Sequence, residues 1–292
     1  MKQLLIASAA AAALVTGLAQ AQTTPAPAPA ATPEHTLTGN MTITNDYRFR
    51  GLSQTFGEGF WDWAPAIQGG IDYSHSSGLY LGNWNSNVSG NQFPNGSSIE
   101  MDFYGGWKHS WGDFGLDVGT IYYAYPGAKL PGQSPGSTVN NNFTTAKNWE
   151  AYVGGSWKWF SLKYFYSFTD YFGLSEDVIQ GFVGCNPNRS CSPLPRNGDT
   201  KGTQYLNGAF NYEIMPKLTL TATAGYTWVK NYEDLSYFDY KVGVVYDWSG
   251  WLLGASIIGT DANKNYWYAV NGQGKVKEIG TAGLIVSIGR TF

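Results

Sequence analysis

The chain has 292 residues, a formal net charge of −3, 16% aromatic residues and only 13% charged ones; soluble domains usually carry ~25% charged residues. So mild a charge gives no footprint for nucleic-acid binding. No run reaches the ~18 apolar residues that a membrane-spanning helix needs, so a membrane form of this chain has to cross the bilayer with strands.

Residues 1–21 read as a secretory signal. Lys2 supplies the charge, Leu4 to Leu18 a short apolar core, and Ala19-Gln20-Ala21 a small-x-small cleavage site. Cleavage there removes Lys2 and no acid, taking the net charge from −3 to −4. Residues 22–35 hold a Pro/Ala run that reads as an extended periplasmic linker. Everything from 36 to 292 is expected to be one all-β unit.

Alternation of apolar and polar residues, the signature of a strand with two different faces, marks twelve segments. The first runs from Thr36 to Gly51, with Asn40, Thr42, Thr44, Asp46, Arg48 and Arg50 on one face and Met41, Ile43, Tyr47 and Phe49 on the other. Ala64–His75 follows, then Leu79–Val88 with Asn83, Asn85 and Asn87 on its polar side. The next four are Ser98–Ser110, Asp113–Ala124, Lys147–Trp159 and Ser161–Asp170. Lys201–Glu213 precedes Lys217–Val229, a clear ladder of Leu218, Leu220, Ala222 and Ala224 against four threonines. Phe238–Trp248, Trp251–Thr260 and the last stretch, Gly280–Phe292, complete the set. In that last stretch Leu284, Val286 and Ile288 share one face, with Arg290 near the end where a long side chain can reach the headgroups.

The connections alternate as well. Links after the even-numbered segments are tight: Ser76–Gly78, Trp111-Gly112, Phe160, Ile214–Pro216 and Ser249-Gly250. Those after the odd ones are long: Leu52–Trp63, Ser89–Ser97, Tyr125–Ala146, Tyr171–Thr200, Lys230–Tyr237 and Asp261–Ile279. In an up-and-down antiparallel barrel this puts every long loop on one rim, as in transmembrane barrels with short periplasmic turns and long extracellular loops. Tryptophans cluster near both rims, as two interfacial belts would require. Trp107, Trp111, Trp157, Trp159, Trp248 and Trp251 lie by the short turns, and Trp61, Trp63, Trp84, Trp149, Trp228 and Trp267 by the long loops. A secreted β-sandwich would explain the stripes but not the alternating loop lengths.

Several stretches carry a family resemblance. They are Asn45-Asp46-Tyr47-Arg48-Phe49-Arg50-Gly51-Leu52-Ser53-Gln54, Pro65 to Tyr73, Gly78 to Val88, Glu100 to Gly106 and the Phe292 ending. Together they resemble the TorF porin family of Gram-negative bacteria. The resemblance implies an outer-membrane barrel acting as a pore, with a terminal Phe292 read by the barrel-assembly machinery. It brings neither a catalytic motif nor a substrate.

Strand parity nominates the lumen lining: Asp46, Arg48, Arg50, Asp72, Glu100, Asp102, Lys108, Asp117, Glu150, Lys158, Lys163, Asp239, Lys241 and Asp247. Facing lipid, each Lys or Arg at mid-depth would cost ~2–4 kcal/mol. These charges can form a filter for solutes or a network of ion pairs that fills the barrel. Arg48 and Arg50, two residues apart, can grip a carboxylate or phosphate bidentately, or pair with acids on adjacent strands. Twelve strands fall between the ~8 that give a filled interior and the ~16 that give an open channel.

Cys185 and Cys191 read as a local disulfide in an exported loop. His35, His75 and His109 share neither a loop nor a His-x-x-x-His spacing, so no metal site is expected, and no cofactor. The expected function is passive diffusion of small hydrophilic solutes across the outer membrane, with lipid as the surrounding partner. A closed structural or adhesive barrel is the alternative. An outer-membrane hydrolase is the remote one, because Ser110 beside His109 sits at a turn with no third group to orient the imidazole.

Overall fold

A computed structural model describes residues 33–93, 97–137, 139 and 142–292. The signal segment and most of the 22–35 run lie outside the described residues. Twelve strands close into one antiparallel barrel in chain order. They are β1 (His35–Thr44), β2 (Ala66–His75), β3 (Leu79–Asn87), β4 (Ile99–Trp111), β5 (Phe114–Gly132), β6 (Asn142–Trp157), β7 (Phe160–Ser167), β8 (Gln204–Met215), β9 (Leu218–Trp228), β10 (Tyr237–Trp248), β11 (Trp251–Thr260) and β12 (Gly283–Thr291). Closure comes from β12 on β1, with Asn40 opposite Thr291 and Thr44 opposite Ser287. Phe292 extends the seam by exchanging backbone hydrogen bonds with Gly39 at 2.8 and 3.2 Å. Closure leaves the barrel sheet itself without a free edge to template aggregation.

The strands form because their alternation is satisfied twice, once on each wall. Outward side chains include Leu37 (70% exposed), Ile67, Leu81 and Val242, a band of bare hydrocarbon that a soluble monomer rarely carries. The even-numbered strands leave through tight turns. Ser249 (φ 52°) and Gly250 (φ 86°) both sit in the left-handed region, the conformation of a two-residue type I′ hairpin. Long connections gather at the other rim. Among the described residues no helix is long and apolar enough to cross a membrane.

Four local expectations change. The first strand ends at Thr44 rather than Gly51. Arg48-Phe49 and Leu52-Ser53 pair with each other in a small hairpin, turned by Arg50 (φ 45°) and Gly51 (φ 79°), and Tyr47 and Phe49 are buried instead of facing outward. In β3 the faces are exchanged. Tyr80, Trp84 and Ser86 point into the barrel and are buried, while Asn83 and Asn85 lie on the outer wall and hydrogen-bond to each other at 2.6 Å. Trp84 therefore leaves the proposed belt, and so does Trp267, which packs against the buried Tyr237 ring at the start of β10 and donates to the Leu235 carbonyl. Finally, Tyr125–Ala146 is not a loop throughout: β5 and β6 continue pairing past a register shift between Ala124 and Lys129.

Candidate functional site

The barrel interior divides into two halves along its axis. Its long-loop half is filled. The segment after β1 bends inward at Asn45, and the 48–53 hairpin stands inside the barrel with Arg50 at its tip. A guanidinium there needs compensation for lost water, and the walls supply it. Arg50 Nη2 donates to Glu150 Oε2 at 2.7 Å, with both side chains at most 1% exposed. Its Nη1 donates to the Tyr171 hydroxyl at 3.3 Å. The guanidinium also lies 4.0 Å from the centroid of the Tyr205 ring, a cation–π contact strengthened by desolvation. Glu150 is held in turn by Asn148 Nδ2 at 3.0 Å and Ser167 Oγ at 3.2 Å.

Arg48 secures the base of the same hairpin. It pairs with Asp46 and donates through Nη1 to the carbonyls of Ile279 (3.1 Å) and Thr281 (2.9 Å). Asp46 also accepts from Ser53 Oγ and Thr55 Oγ1. Around this polar spine lies an aromatic cluster that includes Tyr47, Phe49, Trp84, Tyr123, Phe165 and Tyr205, all buried. Phe49 meets Tyr123 and Phe172 edge-on at 5.5 and 5.2 Å.

The 168–203 connection packs Tyr171, Leu174, Val178, Ile179 and Leu194 onto the same core. Its short helix α1 (Glu176–Gly181) is capped by Ser175, whose hydroxyl accepts from the Val178 amide. Val178 and Ile179 are buried beneath it. Arg196 Nη1 reaches Asp177 Oδ1 at 2.9 Å and holds that carboxyl below its usual range. In the neighbouring 261–282 connection, Glu278 loses water by partial burial, but hydrogen bonds from Lys264 and Arg189 more than offset this, so its carboxyl too lies below the usual range. Cys185 and Cys191 are joined in a disulfide within the 168–203 connection.

The short-turn half is polar and less tightly filled. Along β2 to β7 runs a chain of hydroxyls and charges. Tyr104 donates to Asp72, which also accepts from Asn40 Nδ2 at 3.2 Å. Tyr80 donates to Asp117 at 2.6 Å, and Lys163 reaches the same carboxylate at 2.7 Å. Lys108 lies over the Tyr80 ring at 5.4 Å. The remaining strands face this network with small polar groups such as Thr42, Asn207, Thr223 and Ser256, half-buried or buried. Between the halves, a cavity of about 30 Å³ is lined by Arg48, Arg50, Tyr205, Asn207, Asp239 and Lys241, among others. That is room for one or two waters. Asp239 accepts there from the Tyr205 hydroxyl at 3.2 Å.

Twelve of the nominated charges thus border the interior, but in unlike roles. Arg48, Arg50, Asp46 and Glu150 are consumed in holding the hairpin. Glu100 and Asp102 are buried, Glu100 beside the Tyr47 and Tyr125 hydroxyls; Asp102 Oδ1 and the Tyr123 hydroxyl find no hydrogen-bond partner among the described residues. Asp72, Lys108, Asp117, Lys163, Asp239 and Lys241 line the polar half or the cavity. Lys158 does not join them: it occupies the turn after β6 with φ 53°, 3.9 Å from Asp113 at the exposed rim. Asp247 caps a turn, accepting from the Gly250 amide at 2.7 Å. Sequence reasoning missed the tyrosines. Tyr80, Tyr104, Tyr152, Tyr171 and Tyr205 carry these networks; parity pointed inward for Tyr104 and Tyr152, whereas Tyr171 lies in a connection and Tyr80 on the face of β3 that alternation assigns outward.

Residues 28–292 match the family described as "Bacterial protein of unknown function (Gcw_chp)". The chain belongs to that family. No curated protein matches this Gcw_chp member. Among solved structures, a NanC porin is similar at 10% identity and TM-score 0.47, covering 88% of this chain and 99% of that one. A KdgM porin in complex with disordered oligogalacturonate gives 9% and 0.46, covering 88% and 98%. Outer-membrane expressed OmpT of Vibrio cholerae gives 11% and 0.39, covering 88% and 97%. At these TM-scores the likenesses carry no argument about what this barrel does.

Proposed function

We propose that this Gcw_chp protein is an outer-membrane barrel for passage of small hydrophilic solutes, of the kind the TorF resemblance implies, in which the inward 45–54 segment restricts the lumen. The single observation that carries the reading is the way the interior is built. A polar, incompletely filled half adjoins a plug anchored by one buried ion pair, Arg50–Glu150. A barrel serving only as a scaffold has no need of a charged anchor, since well-packed apolar residues of similar volume stabilise as well or better.

The outward hydrocarbon band and the short-turn tryptophans support placement in a bilayer, with the short turns on the periplasmic side. Of the twelve nominated charges that border the interior, seven are acids and five are bases, a balance that favours cations over anions. The packed aromatic cluster of the long-loop half favours a second reading, a permanently closed barrel.

Stepwise conductance in a planar bilayer separates the two. The channel reading expects cation-preferring steps from the refolded wild type, larger or more frequent when the anchor is removed. Silence at every voltage from both wild type and anchor variant would leave the closed barrel.

A further inference from the structure

The outer wall of the barrel carries a group of side chains that the transport reading does not use. The β1–β2 ladder sets His35 directly opposite His75, so two histidines forty residues apart in sequence become a cross-strand pair. Their ring centroids are 5.1 Å apart. Glu34 joins them: the Ser76 amide donates to its carbonyl at 2.9 Å, which fixes the backbone of the incoming chain against the β2–β3 turn. One ligand atom from each of the three residues lies within 4.8 Å of the other two.

From this juxtaposition we infer that Glu34, His35 and His75 form a binding site for a divalent transition-metal ion on the periplasmic rim of the barrel wall. The donor set of two imidazoles and one carboxylate suits Zn²⁺ and its neighbours rather than the oxygen-seeking Ca²⁺ or Mg²⁺. Tetrahedral ligands at ~2.0–2.1 Å from a zinc ion stand about 3.3 Å from each other. His75 Nε2 and Glu34 Oε1 are 3.5 Å apart, so this pair already spans one edge of such a site. The fourth position is open to water.

The rings are also held from behind. His75 Nδ1 lies 2.7 Å from Ser77 Oγ, and His35 Nδ1 lies 2.8 Å from the Tyr73 hydroxyl. When each hydroxyl accepts from Nδ1–H, the Nε2 lone pairs are free for a metal, the second-shell arrangement that fixes a ligating histidine. The Ser77 amide, 3.2 Å from the same Nδ1, suits the opposite tautomer, so binding selects one of two arrangements of this turn. A bound ion would tie the residues entering β1 to the end of β2, pinning the barrel's first strand at the rim.

The test uses the tag-free mature chain in detergent, stripped of metals with a chelator, and titrated with Zn²⁺ by calorimetry. One equivalent is expected to bind. His35→Gln and His75→Gln should each weaken it by more than about a hundredfold, beyond the ~10–100-fold that loss of a supporting group produces. Tyr73→Phe should fall within that smaller range, and His109→Gln should leave binding unchanged. Co²⁺ in place of Zn²⁺ gives a visible spectrum that should disappear in the double variant H35Q/H75Q. Absence of stoichiometric binding by the wild type, or Zn²⁺ affinity that survives H35Q/H75Q, overturns the inference. Because neither readout involves conductance, it stands or falls apart from the transport reading.

Discussion

Replacing Arg50 by alanine isolates the anchor of the plug. The substitution removes a guanidinium whose side chain is fully buried and leaves Glu150, 1% exposed, without its cationic partner. Breaking a buried pair by deleting one member costs ~3–5 kcal/mol, because the remaining charge stays desolvated. With tenfold for every ~1.4 kcal/mol, the population of barrels whose hairpin has left its seat should rise by roughly a hundredfold to a few thousandfold. Single-channel recording in planar bilayers reads that population as open probability. The paired replacement R50M/E150Q is the control: removing both charges while keeping volume should restore most of the closed population. If R50A conducts as the wild type does while remaining folded, the pair does not hold the plug. If R50M/E150Q conducts as freely as R50A, electrostatic compensation is not the reason that it holds.

Gly51→Ala should act on the same element by another route. Its φ of 79° is costly for a residue with a Cβ, by about 1–3 kcal/mol, and the new atom would meet Thr260 Cγ2 at 2.4 Å. Trypsin should then cut after Arg48 or Arg50, sites that the wild type keeps buried; a digest unchanged from wild type would count against the plug. Val242→Lys places a charge on the outer wall, where Val242 is 53% exposed, and should destabilise the barrel in lipid by ~2–4 kcal/mol, read from urea unfolding in vesicles. Acid should loosen the long-loop cap first. Arg196 depresses the Asp177 carboxyl, so that contact stabilises the cap above the ordinary carboxylate range and is lost as pH falls through the lowered value. Hydrogen exchange over residues 170–200 should accelerate in that window, and Arg196→Gln should move the onset to higher pH.

The sequence announces the barrel through two signals that physics ties to the fold. Period-two alternation gives each strand a wet and a greasy face, and the alternation of turn and loop lengths fixes the up-and-down order. The interior was less legible for a specific reason. Reading apolar as outward works only where the lumen is polar. In the long-loop half the lumen is packed with aromatics, so Trp84 turns inward and Asn83 and Asn85 lie outward, reversing the rule in β3. The Asp46–Arg50 stretch misled similarly: its alternation continues that of β1 without a break, yet belongs to a hairpin that satisfies the same pattern inside the barrel. Gly51 after Arg50 was the available hint of a turn. The His35–His75 pairing lies beyond any spacing rule, since only strand register brings those residues together.

The charges were found more surely than their tasks. Parity put Glu150 and Arg50 inside, but their contact depends on a segment folding across the lumen to meet β6. No pattern local to either residue encodes that. Lys158 and Asp247 show the opposite limit: they share the inward parity but sit where the chain turns, and turn geometry sets their neighbours.

The account depends most on which wall meets lipid. Nitroxide labels at Val153 and Val242 on the outer wall, and at Thr223 on the inner one, test this directly in proteoliposomes. Relaxation by oxygen should dominate at the two valine sites, and relaxation by a water-soluble nickel chelate at Thr223. Equal access of both reagents to all three sites, or greater chelate access at Val153 and Val242, would contradict a barrel embedded in a bilayer around a polar interior.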